Sequence, residues 1–310
     1  MTPNKSNSEK SRNGFEVETK KLKIGNFEIC PIPTGEFGLD GGAMFGTVPK
    51  VLWEKTNPTD DKNRIQMEAR GLLLKSPGCN VLIDTGNGAD FVLKYGEKLG
   101  NKFAEMYGID QSGPSLLKSL KTFGLEPADI HHVILTHFHF DHAGGATTEV
   151  NGQLAPTFPK AQYWAQWENF ETARQPNLRE RASYYPANFQ PLLDAGVLKL
   201  LKGPVENFIP GISCMITDGH TKGQQVIKVT DGSNTLLYCA DMCPTSTHVK
   251  VPWLMGYDLH PLTLMEEKQK YLGEAADHSW YLFFEHDPYC DAALIERNGH
   301  DFAVQKRFWL

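Results

Sequence analysis

His137, His139, Asp141 and His142 fall within six positions in the stretch HVILTHFHFDHAGG, residues 132–145. Imidazole nitrogens and carboxylate oxygens are lone-pair donors, and crowding four of them behind an apolar run is costly unless a cation coordinates them. In an extended loop alternate residues point the same way, so His137 and His139 chelate one ion together. Asp141 and His142 then turn toward a second position beside the first. The donor set suits divalent zinc, with manganese, cobalt or iron as the other ions. Phe138 and Phe140 alternate away from the donors and fix the loop in a core. A lone histidine is ordinarily a surface or hydrogen-bonded residue, but that reading does not account for four donors at this spacing. Ions held there activate water for attack on a carbonyl or phosphoryl centre.

The elements that must carry this cluster lie on both sides of it. Strand-like runs appear at 22–32 (LKIGNFEICPI), 71–76 (GLLLKS) and 80–86 (NVLIDTG), the last running into a sharp glycine turn. A helical segment follows at about 89–107, and 114–124 (PSLLKSLKTFG) is an amphipathic helix with Leu116, Leu117 and Leu120 on one side and Gly124 as its C-cap. After the strand HHVILT and the histidine loop, 158–200 is rich in Trp, Tyr, Phe, Pro and Arg and reads as helices over one face of the core, or a lid. Strands recur at 212–219, 224–230 and 234–241, and the helix 265–277 and strand 279–287 close the pattern. Two β-rich halves with helices between them predict a layered α/β fold with two sheets packed face to face. Residues 1–18 read as a polar flexible tail and 19–310 as one domain.

With these elements in place, the chain resembles the metallo-β-lactamase-fold hydrolases, whose signature is HxHxDH, over most of its length. The resemblance implies a four-layer αββα sandwich. NVLIDTG matches the family's strand ending in Asp-Thr-Gly. His220 in DGHTKGQ matches its third histidine for one metal, Asp241 in YCADMCPT the carboxylate that bridges two metals, and His286 in FFEHDP the last ligand of the second. The implied ligand sets are His137, His139 and His220 for one ion, and Asp141, His142 and His286 for the other, with Asp241 between them. Each late position follows an apolar strand, where separate sheet elements can converge. No cysteine replaces a ligand, unlike the lactam-cleaving enzymes. His139 stands where flavodiiron oxygen reductases have a glutamate, which points to hydrolysis rather than redox chemistry. Asp141 is the candidate proton carrier to the leaving oxygen, so Asp141 and Asp241 are the catalytic candidates.

Within that family the segments 35–76 and 241–272 are most similar to the quorum-quenching N-acyl homoserine lactonases and the methyl parathion hydrolase-like enzymes. The resemblance implies a lactone ring opened through a metal-bridging hydroxide. An arylesterase or organophosphate triesterase is the alternative, and a metal-binding protein without catalysis the remote one. Small lactonases of this branch place a tyrosine three residues after the bridging aspartate. Here that position is Pro244, and His248 or Tyr257 would have to substitute. Trp164, Trp167, Phe170, Tyr184, Tyr185 and Phe189, with Phe45 and Trp253, are read as an aromatic acyl-binding wall. An apolar stripe near Met44-Phe45 and Val48-Pro49 is read as a homodimer contact.

Composition removes other classes. The 310 residues carry a net charge of −6 and no basic stripe, which argues against nucleic acid and against anionic membrane surfaces. No apolar run is long enough to span a bilayer, and the N-terminus lacks the apolar core of a secretory signal. Six scattered cysteines read as reduced thiols, so the expected partner is a small molecule and the expected compartment is cytoplasmic.

Overall fold

The apolar runs assemble into two mixed sheets. The computed structural model describes residues 8–10, 14–109 and 112–310. One sheet has seven strands in the spatial order Leu198–Leu201, Gln162–Gln166, His132–Ile134, Val81–Ile83, Arg64–Lys75, Phe27–Asp40 and Lys23–Ile24. The other has nine, in the order Ser8–Lys10, Glu16–Thr19, Asp301–Trp309, Ala292–Asn298, Tyr281–Phe283, Thr235–Tyr238, Gln224–Thr230, Ile212–Thr217 and Val205–Ile209. Their inner faces meet through Ile29, Leu72, Leu74, Val81 and Ile134 on one side and Ile212, Ile227, Val229, Leu236 and Tyr238 on the other, all buried. Burial from both sides explains why these strands are continuously apolar rather than alternating.

Helices cover the two outer faces. Leu120, Phe170 and Leu192, from the helices Leu116–Thr122, Trp167–Arg174 and Gln190–Asp194, pack on Leu73, Leu82, Val133 and Tyr163 of the seven-stranded sheet. Leu264, Tyr271, Leu272 and Ala275 of the helix Pro261–Asp277 pack on Val226, Leu237, Leu282 and Ala293 of the nine-stranded one. The result is the αββα sandwich that the motifs implied.

Several expectations change. The span read as a tail contributes Ser8–Lys10 and Glu16–Thr19 to the larger sheet, the latter parallel to Asp301–Trp309. Val17 is the reason: it is buried in the core beneath the helix Pro261–Asp277, although its neighbours are charged. Residues 1–7 and 11–13 lie outside the described residues. The segment 89–107 is two helices, Phe91–Tyr95 and Glu97–Tyr107, broken at Gly96, whose φ of +83° is not helical. The aromatic block holds strands as well as helices, since Gln162–Gln166 pairs in parallel with both His132–Ile134 and Leu198–Leu201. The closing hairpin Ala292–Asn298 and Asp301–Trp309 was not anticipated, although Asn298-Gly299 between two alternating runs is a turn signal. Met44 and Phe45 are fully buried in the protein's own core, so they are not available to a second subunit. Among the described residues no helix is long and apolar enough to cross a membrane.

Register brings the functional segments together. Ile83 pairs with Ile134, and Tyr238 with Phe283, both in parallel ladders. Parallel neighbours end on the same side, so Asp84 and Thr136 emerge side by side, as do the turns carrying Asp241 and His286. Gln225 joins the two sheets at that edge: its backbone N–H donates to the Thr136 carbonyl at 2.9 Å and its side chain to the Leu135 carbonyl at 2.8 Å.

Candidate metal centre

The histidine loop begins directly after the strand His132–Ile134 and then turns into a short helix, Phe140–Ala143. Asn169 clamps it, accepting from the Phe138 N–H at 2.9 Å and donating to the Lys222 carbonyl at 2.9 Å, which fixes the loop beside the His220 segment. Glycine allows the closest approach: a Cβ on Gly144 would sit 2.2 Å from the Asn87 carbonyl oxygen. Asp84 and Ala240 both have positive φ, +54° and +46°, in the turns that leave two of the strands. Such strain in a non-glycine residue costs about 1–3 kcal/mol and persists where the surroundings enforce it.

All seven expected donors converge. His137, His139, His220 and Asp241 form one group and Asp141, His142 and His286 another, with the donor atoms of each group within 4.8 Å of one another. In the first, His139 Nδ1 lies 3.0 Å from His137 Nε2 and 3.2 Å from His220 Nε2. In the second, His142 Nε2 and His286 Nε2 are 3.3 Å apart, and Asp141 Oδ2 is 3.8 Å from His286 Nε2. Asp241 lies between them, with Oδ2 3.1 Å from His220 Nε2 and Oδ1 3.2 Å from His286 Nε2.

The far side of each ring is held. His286 Nδ1 donates to the Glu68 carbonyl at 2.7 Å, and His220 Nδ1 faces Asp258 Oδ1 at 2.9 Å. His142 Nδ1 faces two carboxylates, Asp84 Oδ2 at 3.0 Å and Glu285 Oε2 at 2.9 Å. His137 Nδ1 is 3.0 Å from the Thr136 hydroxyl, which itself donates to Asp84 at 2.6 Å. These contacts leave Nε2 of His137, His142, His220 and His286 as the lone pair aimed at the centre.

Burial and the neighbouring histidines hold His137 and His139 well below the ordinary histidine range, in the neutral form that a metal ion needs. Burial pulls His286 down too, but Asp241 outweighs it and lifts His286 to about 9. His220 is raised against its burial by Asp241 and Asp258. Burial would raise Asp241, yet His142, His220 and His286 drive it well below the usual carboxylate range. A carboxylate buried among five imidazoles, with its Oδ1 lacking any hydrogen-bond partner, is a donor set built for cations.

The sequence profile of the Metallo-beta-lactamase superfamily matches residues 71–286, a span that contains every one of these donors. The chain belongs to this superfamily. It is similar to the N-acyl homoserine lactonase AttM of Rhizobium radiobacter, 24% identical over 224 residues that cover 70% of this chain and 80% of the relative. It is also similar to the structure of a probable metal-dependent hydrolase from Staphylococcus aureus, with a TM-score of 0.80 and 27% identity over 92% of this chain and 99% of that one. The dizinc quorum-quenching lactonase AidC, solved with its product, shares the fold at a TM-score of 0.73 and 21% identity, covering 94% of this chain and 98% of that one. This metallo-β-lactamase-superfamily chain is accordingly a hydrolase whose donor set takes divalent metal ions.

A cavity of about 300 Å³ opens on the superfamily's metal donors. Its apolar lining is Leu39, Met44, Met67, Phe140 and Met255, and its polar lining beyond the donors is Tyr107, Arg179, Glu180, Ser183 and Tyr257. Of the residues expected to bind substrate, only Tyr257 is among them. Phe45 is fully buried one residue away from Met44, stacked on Trp53 and on His248 at 4.7 Å. His248 is buried as well, bonded to the Met44 carbonyl at 2.9 Å and the Thr245 hydroxyl at 2.7 Å. Trp253 packs edge-on against Phe45 beneath Lys250. Trp164 belongs to a sheet strand, where its Nε1 meets His132 at 3.2 Å, and Trp167 lies on the surface beneath Lys202. Tyr184 is buried with its hydroxyl on Thr221, and Tyr185 stacks on Tyr95 at 4.1 Å. Phe170 and Phe189 pack in the core around Phe138. The wall is therefore mainly methionine, leucine and a phenylalanine of the metal motif itself. Arg179, Glu180 and Ser183 were hidden in a polar stretch with no periodicity. Phe140 was legible, as its alternation with the donors put it beside them.

Proposed function

We propose that this chain is a dinuclear metal-dependent lactonase that opens the ring of N-acyl homoserine lactones. One ion, zinc in the first instance, is assigned to His137, His139 and His220, a second to Asp141, His142 and His286, and Asp241 is shared by both. The observation that carries this reading is the placement of Asp241, with one oxygen 3.1 Å from His220 Nε2 and the other 3.2 Å from His286 Nε2. When bound, paired divalent ions lower the pKa of water and polarise a carbonyl oxygen.

The chain's own residues supply the rest. Water oxygen adds to the ring carbonyl carbon, the ring C–O bond breaks, and the proton passes to the leaving alkoxide. Asp141, at the cavity floor beside His286, is the carboxylate that carries that proton. Met44, Met67, Phe140 and Met255 offer an acyl substituent a flexible apolar wall. Burial pushes the Tyr107 phenol up beyond its ordinary range and Tyr257 up to about 12, so both remain O–H donors at neutral pH. Neither hydroxyl has a hydrogen-bond partner among the described residues, and both line the cavity. Tyr257 thereby takes the part for which Pro244 is unsuited, and His248, turned into the core, does not.

Lactone substrates fit the similarity to AttM, and the six free cysteines fit a reducing, cytoplasmic setting. The experiment is a rate comparison on zinc-loaded protein between N-acyl homoserine lactones of short and long chain and an aryl phosphotriester. A lactone kcat/KM of about 10⁴ M⁻¹s⁻¹ or more with slow triester turnover supports the reading. The reverse order transfers the chain to the organophosphate or arylesterase alternative.

A further inference from the structure

Arg179 lines the same cavity as Asp141, His220 and His286, yet the opening of a neutral lactone makes no use of it. Its guanidinium donates to the Gly256 carbonyl, a neutral acceptor that also lines the cavity. No carboxylate lies within ion-pair distance of it among the described residues. The adjacent acid is already occupied: Glu180 accepts from Asn177 at 2.6 Å, from the Thr221 hydroxyl at 2.8 Å and from the Tyr184 hydroxyl at 3.4 Å. A guanidinium has five N–H donors in a planar fork, and Arg179, an exposed residue on the cavity lining, spends one nitrogen on Gly256 while its others have no partner among the described residues.

The cavity that holds both the metal donors and this arginine is small. A volume of about 300 Å³ accommodates a five-membered ring and a short chain, with no room for a long tail to pass beyond it without leaving the pocket. We infer that Arg179 selects a substrate whose short acyl chain ends in a carboxylate, the ring carbonyl resting over Asp241 and the carboxylate meeting the guanidinium fork. This specificity rests on the lactonase reading above. A planar carboxylate matches the fork with two parallel hydrogen bonds, which a methyl terminus cannot do.

The test uses the zinc-loaded enzyme and two lactones of nearly equal length, N-glutaryl-homoserine lactone and N-hexanoyl-homoserine lactone. A charge-assisted pair at a partly solvated mouth corresponds to a preference of about tenfold in kcat/KM for the glutaryl compound. In Arg179→Gln that ratio collapses toward one, and in Arg179→Lys it is intermediate because charge is kept and the fork is lost. A purely structural arginine, bracing the wall through Gly256, would lower both rates together and leave the ratio unchanged. Equal rates in the wild type, or an unchanged ratio in Arg179→Gln, overturns the inference. If neither lactone is opened, the lactonase reading fails, and calorimetric binding of N-glutaryl- and N-hexanoyl-homoserine still decides the arginine. Tighter glutaryl binding that is lost in Arg179→Gln upholds it, and equal affinities overturn it.

Discussion

Asp258 connects His220 to the cavity wall: its Oδ1 lies 2.9 Å from His220 Nδ1, while its Oδ2 accepts from the Met255 N–H at 2.7 Å. The residue that orients a donor therefore also shapes the loop that contributes Met255, Gly256 and Tyr257 to the lining. Asp258→Asn is expected to lower metal affinity by about 10–100-fold, read by competition with a chromogenic chelator. Unchanged affinity would show that the His220 ring is held by packing alone.

The donors differ in what their loss should do. His137→Ala or His220→Ala removes a nitrogen donor from the first group, so metal content and turnover fall together. Asp141→Asn is expected to retain at least one metal equivalent while turnover drops by at least about a hundredfold, the scale of a lost proton carrier. Elemental analysis alongside steady-state rates makes the comparison. Wild-type turnover in a protein with a confirmed metal deficit would sink the assignment.

Arg70 is a buried cation that organises the His286 turn. It donates to the carbonyls of Phe284, Asp287 and Cys290 at 3.1, 3.0 and 3.3 Å, and pairs with Glu68 at 2.6 Å and Asp291 at 3.2 Å. Arg70→Met strands Asp291 without its partner, with an expected loss of about 3–5 kcal/mol in urea denaturation. Arg70→Lys should recover little of it, because one ammonium cannot reach all of these acceptors.

Lys268 gives stability a pH dependence. It is fully buried, donating to the Lys250 carbonyl at 2.6 Å and the Trp253 carbonyl at 2.9 Å. Burial lowers it from 10.5 to about 8. Below the lower value both folded and unfolded chains hold the proton, and the cost of burying the charge is present in full. Between about 8 and 10.5 the unfolded chain retains a proton that the native state has released, so this group's contribution to stability rises with pH. Relative to Lys268→Met, the wild type is expected to gain up to about 1.4 kcal/mol per pH unit across that window. Urea titrations of both proteins at matched pH values measure the difference, and a flat or falling difference would contradict it.

The chemistry of this protein was written in local sequence. A spacing of one or two residues between His137, His139, Asp141 and His142 behind an apolar strand is a short-range feature that survives in almost any packing, so this cluster was legible by itself, whereas His220, Asp241, His286 and the four-layer sandwich followed from the resemblance carried by the Asp-Thr-Gly strand and the later motifs. The closing hairpin carried its Asn298-Gly299 signal but was hidden by exposed charged residues such as Glu296, Arg297 and Lys306, and Val17 was hidden among glutamates in the same way. The substrate wall could not be read, because the side of a residue that faces a cavity is decided by partners far away in the chain. Met44 lines the cavity while its neighbour Phe45 is held in the core by Trp53 and His248. Aromatic residues were the natural guess for a binding wall, but the same large apolar area that suits them to ligands draws them first into the interior. Arg179 was placed at the mouth only when the segment 177–185 and the loop 250–260 folded against each other, an arrangement no periodicity encodes.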